Sequence, residues 1–264
     1  MACGAEHPIC PAYVPSVVAR PFVWRVSGPH GALVIQATHQ GAGPDDVSSA
    51  AWAAFQEARL FVGEAEEAIA HEPADADRHQ PLFELEPGDS LRRLLPNGEF
   101  EQLREYVGIS PRELSRLKPW VAFMLLGRSQ IQFAEITINA ELLGRARMRS
   151  LRVIFLDTWD DQMAYLDAAI TPAKLSVAIR NAPKLSCQLG HRLAAFRAGD
   201  DAAFVNDIVP GEPVVARIER WYARLRDIAE YPQVSFAALG IGQLLGPYGI
   251  LARFAADGYA VERL

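Results

Sequence analysis

Segments with the composition of β-strands lie near both ends of this 264-residue chain, and a long stretch with helical periodicity separates them. The strand-like runs, rich in β-branched and aromatic residues, occupy residues 22–26, 33–37, 60–62, 151–156, 234–239 and 259–262. The first two are joined by the turn sequence Ser27-Gly28-Pro29-His30-Gly31, which predicts a hairpin. The pattern predicts an α/β fold: a mixed β-sheet flanked by helices, with strands from both chain ends and a helical middle.

We expect an N-terminal arm followed by a single domain. Residues 1–20 are rich in proline and precede the first strand-like run, so they are expected to form the arm. Residues 21–264 have a length typical of one large domain. A polar stretch rich in Pro, Asp and His begins near residue 70 and is followed by helical candidates, which predicts a helical insert at about 70–150.

The charge of the chain argues against nucleic acid as a partner. Its 26 basic and 32 acidic residues give a net charge of −6, and no block of Lys and Arg is present to neutralise a row of phosphates. The longest apolar stretches, such as residues 120–126, fall far short of the roughly 20 residues that cross a bilayer, so we expect no membrane association. The N-terminal residues lack the basic and apolar regions of a signal peptide, and we expect a cytoplasmic protein.

The three cysteines are too few and too unevenly spaced to predict a disulfide framework or a cysteine-based zinc site. At most Cys3 and Cys10 are expected to pair, and only in an oxidising compartment. Cys187 and His191 lie four residues apart, where a nucleophile and a base would face each other on a helix. Because no third group nearby would orient the imidazole, we do not assign a catalytic dyad to them.

Polar side chains follow four of the predicted strands. His39, Glu64, Asp157 and Gln243 come shortly after the runs that end at residues 37, 62, 156 and 239. Open α/β sheets bind their ligands at the carboxyl ends of the strands, so the pattern is typical of a binding site there. Polar residues end most strands in any protein, and the pattern alone favours neither interpretation.

The glycines after the run 234–239 do not form a dinucleotide-binding motif. Gly240 and Gly242 have the spacing of its first two glycines, but the third glycine, Gly246, comes one position late and Pro247 follows it. A tight strand-to-helix turn is the better interpretation.

Motifs spread over most of the chain resemble those of one protein family. Phe22–Val26 and Leu33–His39 are similar to its first two strands, and Glu64 falls at the acidic position after its next strand. Further similarities are found at Gly88–Leu95, Lys118-Pro119-Trp120, Leu156-Asp157-Thr158 with Gln162, Arg217 with Trp221, Phe236–Gly246, Gly249–Leu251 and Gly258–Val261. Taken in order, residues 21–264 resemble a domain of the TraB/GumN family, which is related to the Tiki proteins.

The resemblance implies a mixed α/β fold and a metal-dependent peptidase or hydrolase with two Gly-x-x-His motifs and acidic partners. Four motif positions depart from the family. Gln36 replaces the first motif's glycine, Gln243 the second motif's histidine, Asp157 a glutamate and Ile218 an asparagine. An amide oxygen is a weaker metal ligand than an imidazole nitrogen, and water is activated near neutral pH only when the ion is bound.

We therefore expect a catalytically degenerate protein that keeps the family's cleft, binds and presents a peptide, and uses no metal or other cofactor. Six residues, none of them catalytic, are expected to line that cleft: His39, Glu64, Trp120, Asp157, Arg217 and Gln243. His39 and Gln243 would form hydrogen bonds, Arg217 would clamp a carboxylate, and Trp120 would form a hydrophobic wall. A peptide-modifying enzyme is the candidate protein partner.

Other interpretations stay open. Trp120 would serve core packing if it is buried, and Arg217 would decorate an exposed helix face beside Glu219 and Arg220. The chain would instead be an active metal-dependent hydrolase if His39, Glu64, Asp157 and Gln243 surrounded a hard cation such as manganese or magnesium. In that case Arg217 would stabilise an oxyanion.

Overall fold

A computed structural model describes residues 10–15, 20–65, 80–130 and 134–264. Within these ranges six strands form one sheet in the order β4-β3-β5-β2-β1-β6. Their bounds are β1 Val23–Ser27, β2 Ala32–Thr38, β3 Leu60–Ala65, β4 Arg152–Asp157, β5 Val234–Gly240 and β6 Ala260–Arg263.

Along the sequence, most helices of the described residues come between β3 and β5. They are α1 Ser49–Glu57, α2 Leu91–Leu94, α3 Glu99–Val107, α4 Pro111–Arg116, α5 Pro119–Gln130, α6 Ile138–Met148, α7 Trp159–Ala169, α8 Pro172–Ala198, α9 Pro213–Ala229 and α10 Ile250–Ala256. Several of them begin with a side-chain cap. Ser48 caps α1 by accepting from the N–H of Ala51, and Ser110 and Glu113 form a capping box at α4.

The sheet is mixed, as predicted. Strands β2, β3, β4 and β5 run parallel to one another, whereas β1 is antiparallel to β2 and to β6. Strand β5, from the C-terminal part of the chain, lies between β2 and β3, and its register places Phe236 opposite Val34 and Phe61. The predicted α/β fold, with strands from both chain ends and a helical middle, is therefore confirmed.

The central parallel strands are buried along most of their length. Val34, Ile35, Phe236 and Ala237 are all completely inaccessible to solvent. A parallel sheet covered on both faces needs such continuous apolar runs, which explains why these segments show no alternation of polar and apolar residues. The rigid centre of the sheet fixes the positions of the strand ends that follow.

The chain forms two compact units. Of the described residues, 14–15, 20–65, 134–165 and 192–264 form the sheet unit, and 10–13, 80–130 and 166–191 form the helical unit. The core of the helical unit contains Leu91, Phe100, Leu103, Leu114 and Ile179. Parts of the predicted arm and insert, residues 1–9, 16–19, 70–79 and 131–133, lie outside the described residues.

The expectation that at most Cys3 and Cys10 pair is wrong. Cys10 forms a disulfide with Cys187 within the helical unit, across a sequence separation of 177 residues. Sequence spacing points only to short-range pairing, whereas this bond depends on tertiary structure that brings distant segments together. In the described part of the chain, no helix combines the length and hydrophobicity needed to cross a bilayer.

Candidate functional site

Four strand ends meet at one edge of the sheet unit, which we call the carboxyl edge. Asp157 is the last residue of β4, Glu64 is the penultimate residue of β3, and Gln243 lies in the short helical turn directly after β5. His39 follows the last residue of β2. Because these four strands are parallel neighbours in the order β4-β3-β5-β2, their ends occur side by side. Glu64 lies inside its strand and not after it, because pairing with β4 extends β3 to Ala65.

Glu64, Gly240 and Gln243 form the centre of this edge. Oε1 of Glu64 accepts a hydrogen bond from the backbone N–H of Gly240. A Cβ atom at Gly240 would lie 2.6 Å from Oε1 of Gln243 and 3.0 Å from Oε1 of Glu64. Only glycine therefore lets both side-chain oxygens approach the backbone at this point.

The surroundings of Glu64 shift its carboxyl group towards the neutral form. Burial raises the pKa of Glu64 above its ordinary value, and the negative charge of Asp157 adds to that effect. The positive charge of Arg217 and the N–H of Gly240 oppose it without reversing it. When it is protonated, Glu64 can donate a hydrogen bond to an acceptor at this edge.

Asp157 is held by a buried arginine. The Nε–H of Arg217 donates to Oδ2 of Asp157 at 2.7 Å, and both side chains are almost fully buried. The guanidinium of Arg217 also lies over the rings of Tyr165 and Trp221, at 4.4 and 4.2 Å from their centroids. The interpretation that Arg217 lies on an exposed helix face is wrong, because its side chain is buried together with that of Asp157.

His39 is a neutral imidazole with a defined tautomer. The backbone N–H of Gly41 donates to Nδ1 of His39 at 3.2 Å, so the ring proton is on Nε2. The pKa of His39 is lowered to about 4, mainly by burial and also by the positive charges of Arg192 and Arg197, whereas the negative charges of Asp207 and Asp46 oppose the shift. At neutral pH His39 therefore offers a hydrogen-bond donor at Nε2.

A cavity of about 140 Å³ opens beside Glu64. Its polar lining consists of Glu64, Asn139 and Gln162, and its apolar wall includes Phe61 and Phe155. Oδ1 of Asn139 is buried without a hydrogen-bond partner in the described part of the chain, and the same holds for Oε1 of Gln243 at the edge. Sequence analysis did not single out Asn139, because nothing in the α6 sequence distinguishes it from an ordinary first-turn residue.

Gln36 is the residue at which the resemblance implied a glycine. Its side chain is buried on β2, and its Nε2 donates to the backbone oxygen of Ala37 at 2.7 Å. Its Oε1 has no hydrogen-bond partner among the described residues. A glycine at this position would leave that volume empty.

Trp120 belongs to the helical unit. It is 5% exposed, its indole N–H donates to the backbone oxygen of Leu82 at 3.3 Å, and its ring packs 5.4 Å from that of Phe83. These contacts are those of a core residue of this unit. The five other residues expected to line the cleft all lie in the sheet unit.

The donor atoms at the carboxyl edge do not fit a bound metal ion. Nδ1 of His39 already accepts a backbone N–H, Oδ2 of Asp157 accepts from Arg217, and burial raises the pKa of Glu64, which disfavours its charged form. Over the described ranges, the one group of three or more His, Cys, Asp or Glu donors within 4.8 Å of one another is Cys10, Cys187 and His191, none of which belongs to this edge. The edge instead combines hydrogen-bonding groups with the ion pair of Asp157 and Arg217.

Comparison with known proteins gives one match. A model of the TraB/PrgY/gumN family matches residues 22–263, nearly the whole chain. No curated protein and no solved structure matches.

Proposed function

Because the chain belongs to the TraB/PrgY/gumN family, we propose that it is a peptide-binding member that uses the carboxyl edge for recognition and not for hydrolysis. The observation that carries the proposal is the tautomer of His39. With Nδ1 accepting from Gly41, the ring proton is on Nε2, so binding a metal through Nε2 would cost His39 this hydrogen bond.

The free hydrogen-bonding groups of the edge complement a peptide backbone. Nε2 of His39 can donate to a carbonyl oxygen. Among the described residues, Oε1 of Gln243 and Oδ1 of Asn139 are buried acceptors without a partner, and Nη2 of Arg217 is a buried donor without one. An unsatisfied buried acceptor costs about 1–3 kcal/mol, so a ligand that supplies N–H groups recovers that free energy. An extended peptide presents both kinds of group at regular spacing.

The charge balance also favours an uncharged ligand group. Asp157 is neutralised by Arg217, and the raised pKa of Glu64 reduces its negative charge. A cation would gain little from such a site, because Asp157 is already paired with Arg217 and lies 3.6 Å from Nη2 of Arg220. Peptide amides carry no net charge and need only hydrogen-bond partners.

The same groups are poorly suited to activating water. A general base works best when its pKa lies near the working pH, and the pKa of His39 is lowered to about 4. Gln243 has no titratable group to replace the histidine of the family motif. A peptide bound at the edge would stay intact and be available to a peptide-modifying partner enzyme.

One observation favours hydrolysis as a second candidate function. Glu64 combines burial, a raised pKa and an adjacent cavity, which is the arrangement of many catalytic acids. The experiment below therefore includes an arm that detects cleavage.

The test is incubation of the purified protein with a randomised synthetic peptide library, with and without added Mn²⁺, Mg²⁺ or Zn²⁺. Peptides that co-elute with the protein are identified by mass spectrometry. We expect intact peptides with a shared pattern, lost in Gln243→Leu and kept in the control Glu262→Gln, whose side chain is exposed on the opposite edge strand β6. Cleavage by the wild-type protein, or equal retention by Gln243→Leu, would contradict the proposal.

A further inference from the structure

Three potential metal ligands converge in the helical unit, in residues that the proposed function does not use. Cys187 and His191 lie one turn apart on α8, and Cys10 of the N-terminal arm reaches the same place. The ring of His191 also packs near that of Tyr13, at 6.1 Å between centroids. The arm and the helix thus meet at a Cys₂His cluster.

The spacing of these atoms is close to that of a tetrahedral zinc site. Nε2 of His191 lies 3.2 Å from Sγ of Cys10 and 3.8 Å from Sγ of Cys187. With Zn–S bonds of about 2.3 Å and Zn–N bonds of about 2.0 Å, tetrahedral angles separate sulfur from nitrogen by about 3.6 Å. The imidazole nitrogen therefore already has ligand spacing from both sulfurs.

Only the two sulfur atoms are too close together, because they share a disulfide bond. In a tetrahedral site they would lie about 3.8 Å apart. Reduction of the bond releases them to separate by that amount. Cys10 is exposed, which gives both a reductant and a metal ion access to the cluster.

We infer that Cys10, Cys187 and His191 bind one zinc-like divalent cation when the disulfide is reduced. Disulfide and metal complex are then alternative states of the same three side chains. A dithiol reductant supplies two electrons and two protons, the S–S bond breaks, and the reductant becomes a disulfide. Each cysteine thiol then loses its proton as it binds the ion, so two protons are released.

His191 changes its proton position between the two states. In the disulfide state Nε2 of His191 lies 2.6 Å from the backbone oxygen of Pro11, and its N–H donates a hydrogen bond to that oxygen. Binding through Nε2 moves the proton of the neutral ring to Nδ1 and gives up this contact. A water molecule completes the four ligands, as in zinc sites with three protein ligands.

The inference is tested with full-length protein in a Cys3→Ser background, so that two thiols remain. The protein is reduced with a dithiol, freed of reductant without oxygen, and titrated with Zn²⁺ and Co²⁺. We expect one Zn²⁺ per chain for the reduced protein and none for the oxidised protein, with a thiolate-to-Co²⁺ charge-transfer band in the near ultraviolet. His191→Ala should weaken binding at least about 10-fold, and the matched control His30→Ala should leave it unchanged.

Comparison of the oxidised and reduced forms keeps the test valid even if a variant fails to fold. Equal zinc binding by both forms, or no binding by the reduced form, would overturn the inference. An unchanged affinity in a folded His191→Ala protein would overturn it as well.

Discussion

Asp157 and Arg217 form an ion pair 2.7 Å long that is almost completely removed from solvent. It joins the end of strand β4 to helix α9, two segments of the sheet unit that lie 60 residues apart in sequence. Such a pair fixes the position of both side chains, and each becomes a costly buried charge if the other is lost.

We predict that Asp157→Asn lowers the free energy of unfolding by about 3–5 kcal/mol, because it leaves the guanidinium of Arg217 buried without a counter-charge. The loss is measured by urea denaturation. The matched control is Arg226→Gln, on the same helix as Arg217. It removes an exposed ion pair with Asp257 and should lower the free energy of unfolding by less than about 1 kcal/mol. The double variant Asp157→Asn/Arg217→Met should recover part of the loss. Equal stability of wild type and Asp157→Asn would show that the pair is not formed.

We predict that Glu64→Gln changes how stability depends on pH. The pKa of Glu64 is raised in the folded protein above its ordinary value of 4.5, so the folded state holds the proton more tightly than the unfolded state does. This contribution to stability is fully present below pH 4.5 and is lost as the pH rises through the folded pKa. The glutamine keeps an oxygen for the N–H of Gly240 but does not titrate. Above pH 4.5, the free energy of unfolding of the variant should therefore rise relative to that of the wild type as the pH increases. Parallel curves would contradict the prediction.

We predict that His39 stays neutral with its proton on Nε2 throughout the range from neutral to mildly acidic pH. Its pKa is lowered to about 4 in the folded protein, whereas histidines of the urea-unfolded chain should titrate near about 6.5. Nitrogen-15 chemical shifts of the ring report both the charge and the tautomer, and His39→Asn identifies its signals. A proton on Nδ1, or a midpoint near that of the unfolded chain, would contradict the assignment of His39 as a donor.

We predict that Gln243→His, alone or with Gln36→Gly, does not create a metallohydrolase. The new imidazole would have no ligand partners, because His39 accepts from Gly41 and Asp157 is held by Arg217. Metal content by elemental analysis and peptide hydrolysis with added Mn²⁺ measure the outcome. Stoichiometric metal together with hydrolysis would show that the edge is a disabled catalyst only two substitutions from activity.

The sequence predicted the carboxyl edge because strand ends follow from local patterns. Hydrophobic runs located β2, β3, β4 and β5, and the parallel arrangement of a buried sheet brings the residues after such runs together. His39, Glu64, Asp157 and Gln243 could therefore be placed before any contact was known. The contact of Glu64 with Gly240 could not, because it depends on the register between β3 and β5.

Burial of polar residues was the property that sequence analysis could not predict. Arg217 lies beside exposed charged residues on α9, so its sequence left both the cleft and the solvent face open. Its packing against Tyr165 and Trp221 rules out the solvent face. Asn139 reaches a cavity whose walls come from three other elements. The bond between Cys10 and Cys187 likewise joins segments whose proximity is set by tertiary structure alone.

Incubation in water enriched in oxygen-18 shows whether the carboxyl edge binds peptides without cleaving them. Any peptide bond cleaved by water places one labelled oxygen in the new terminal carboxylate. Peptides retained by the protein are incubated with it in labelled water, with and without added Mn²⁺, and analysed by mass spectrometry. We expect the retained peptides to stay intact and unlabelled. Labelled products formed by the wild-type protein and absent with Glu64→Gln would contradict it.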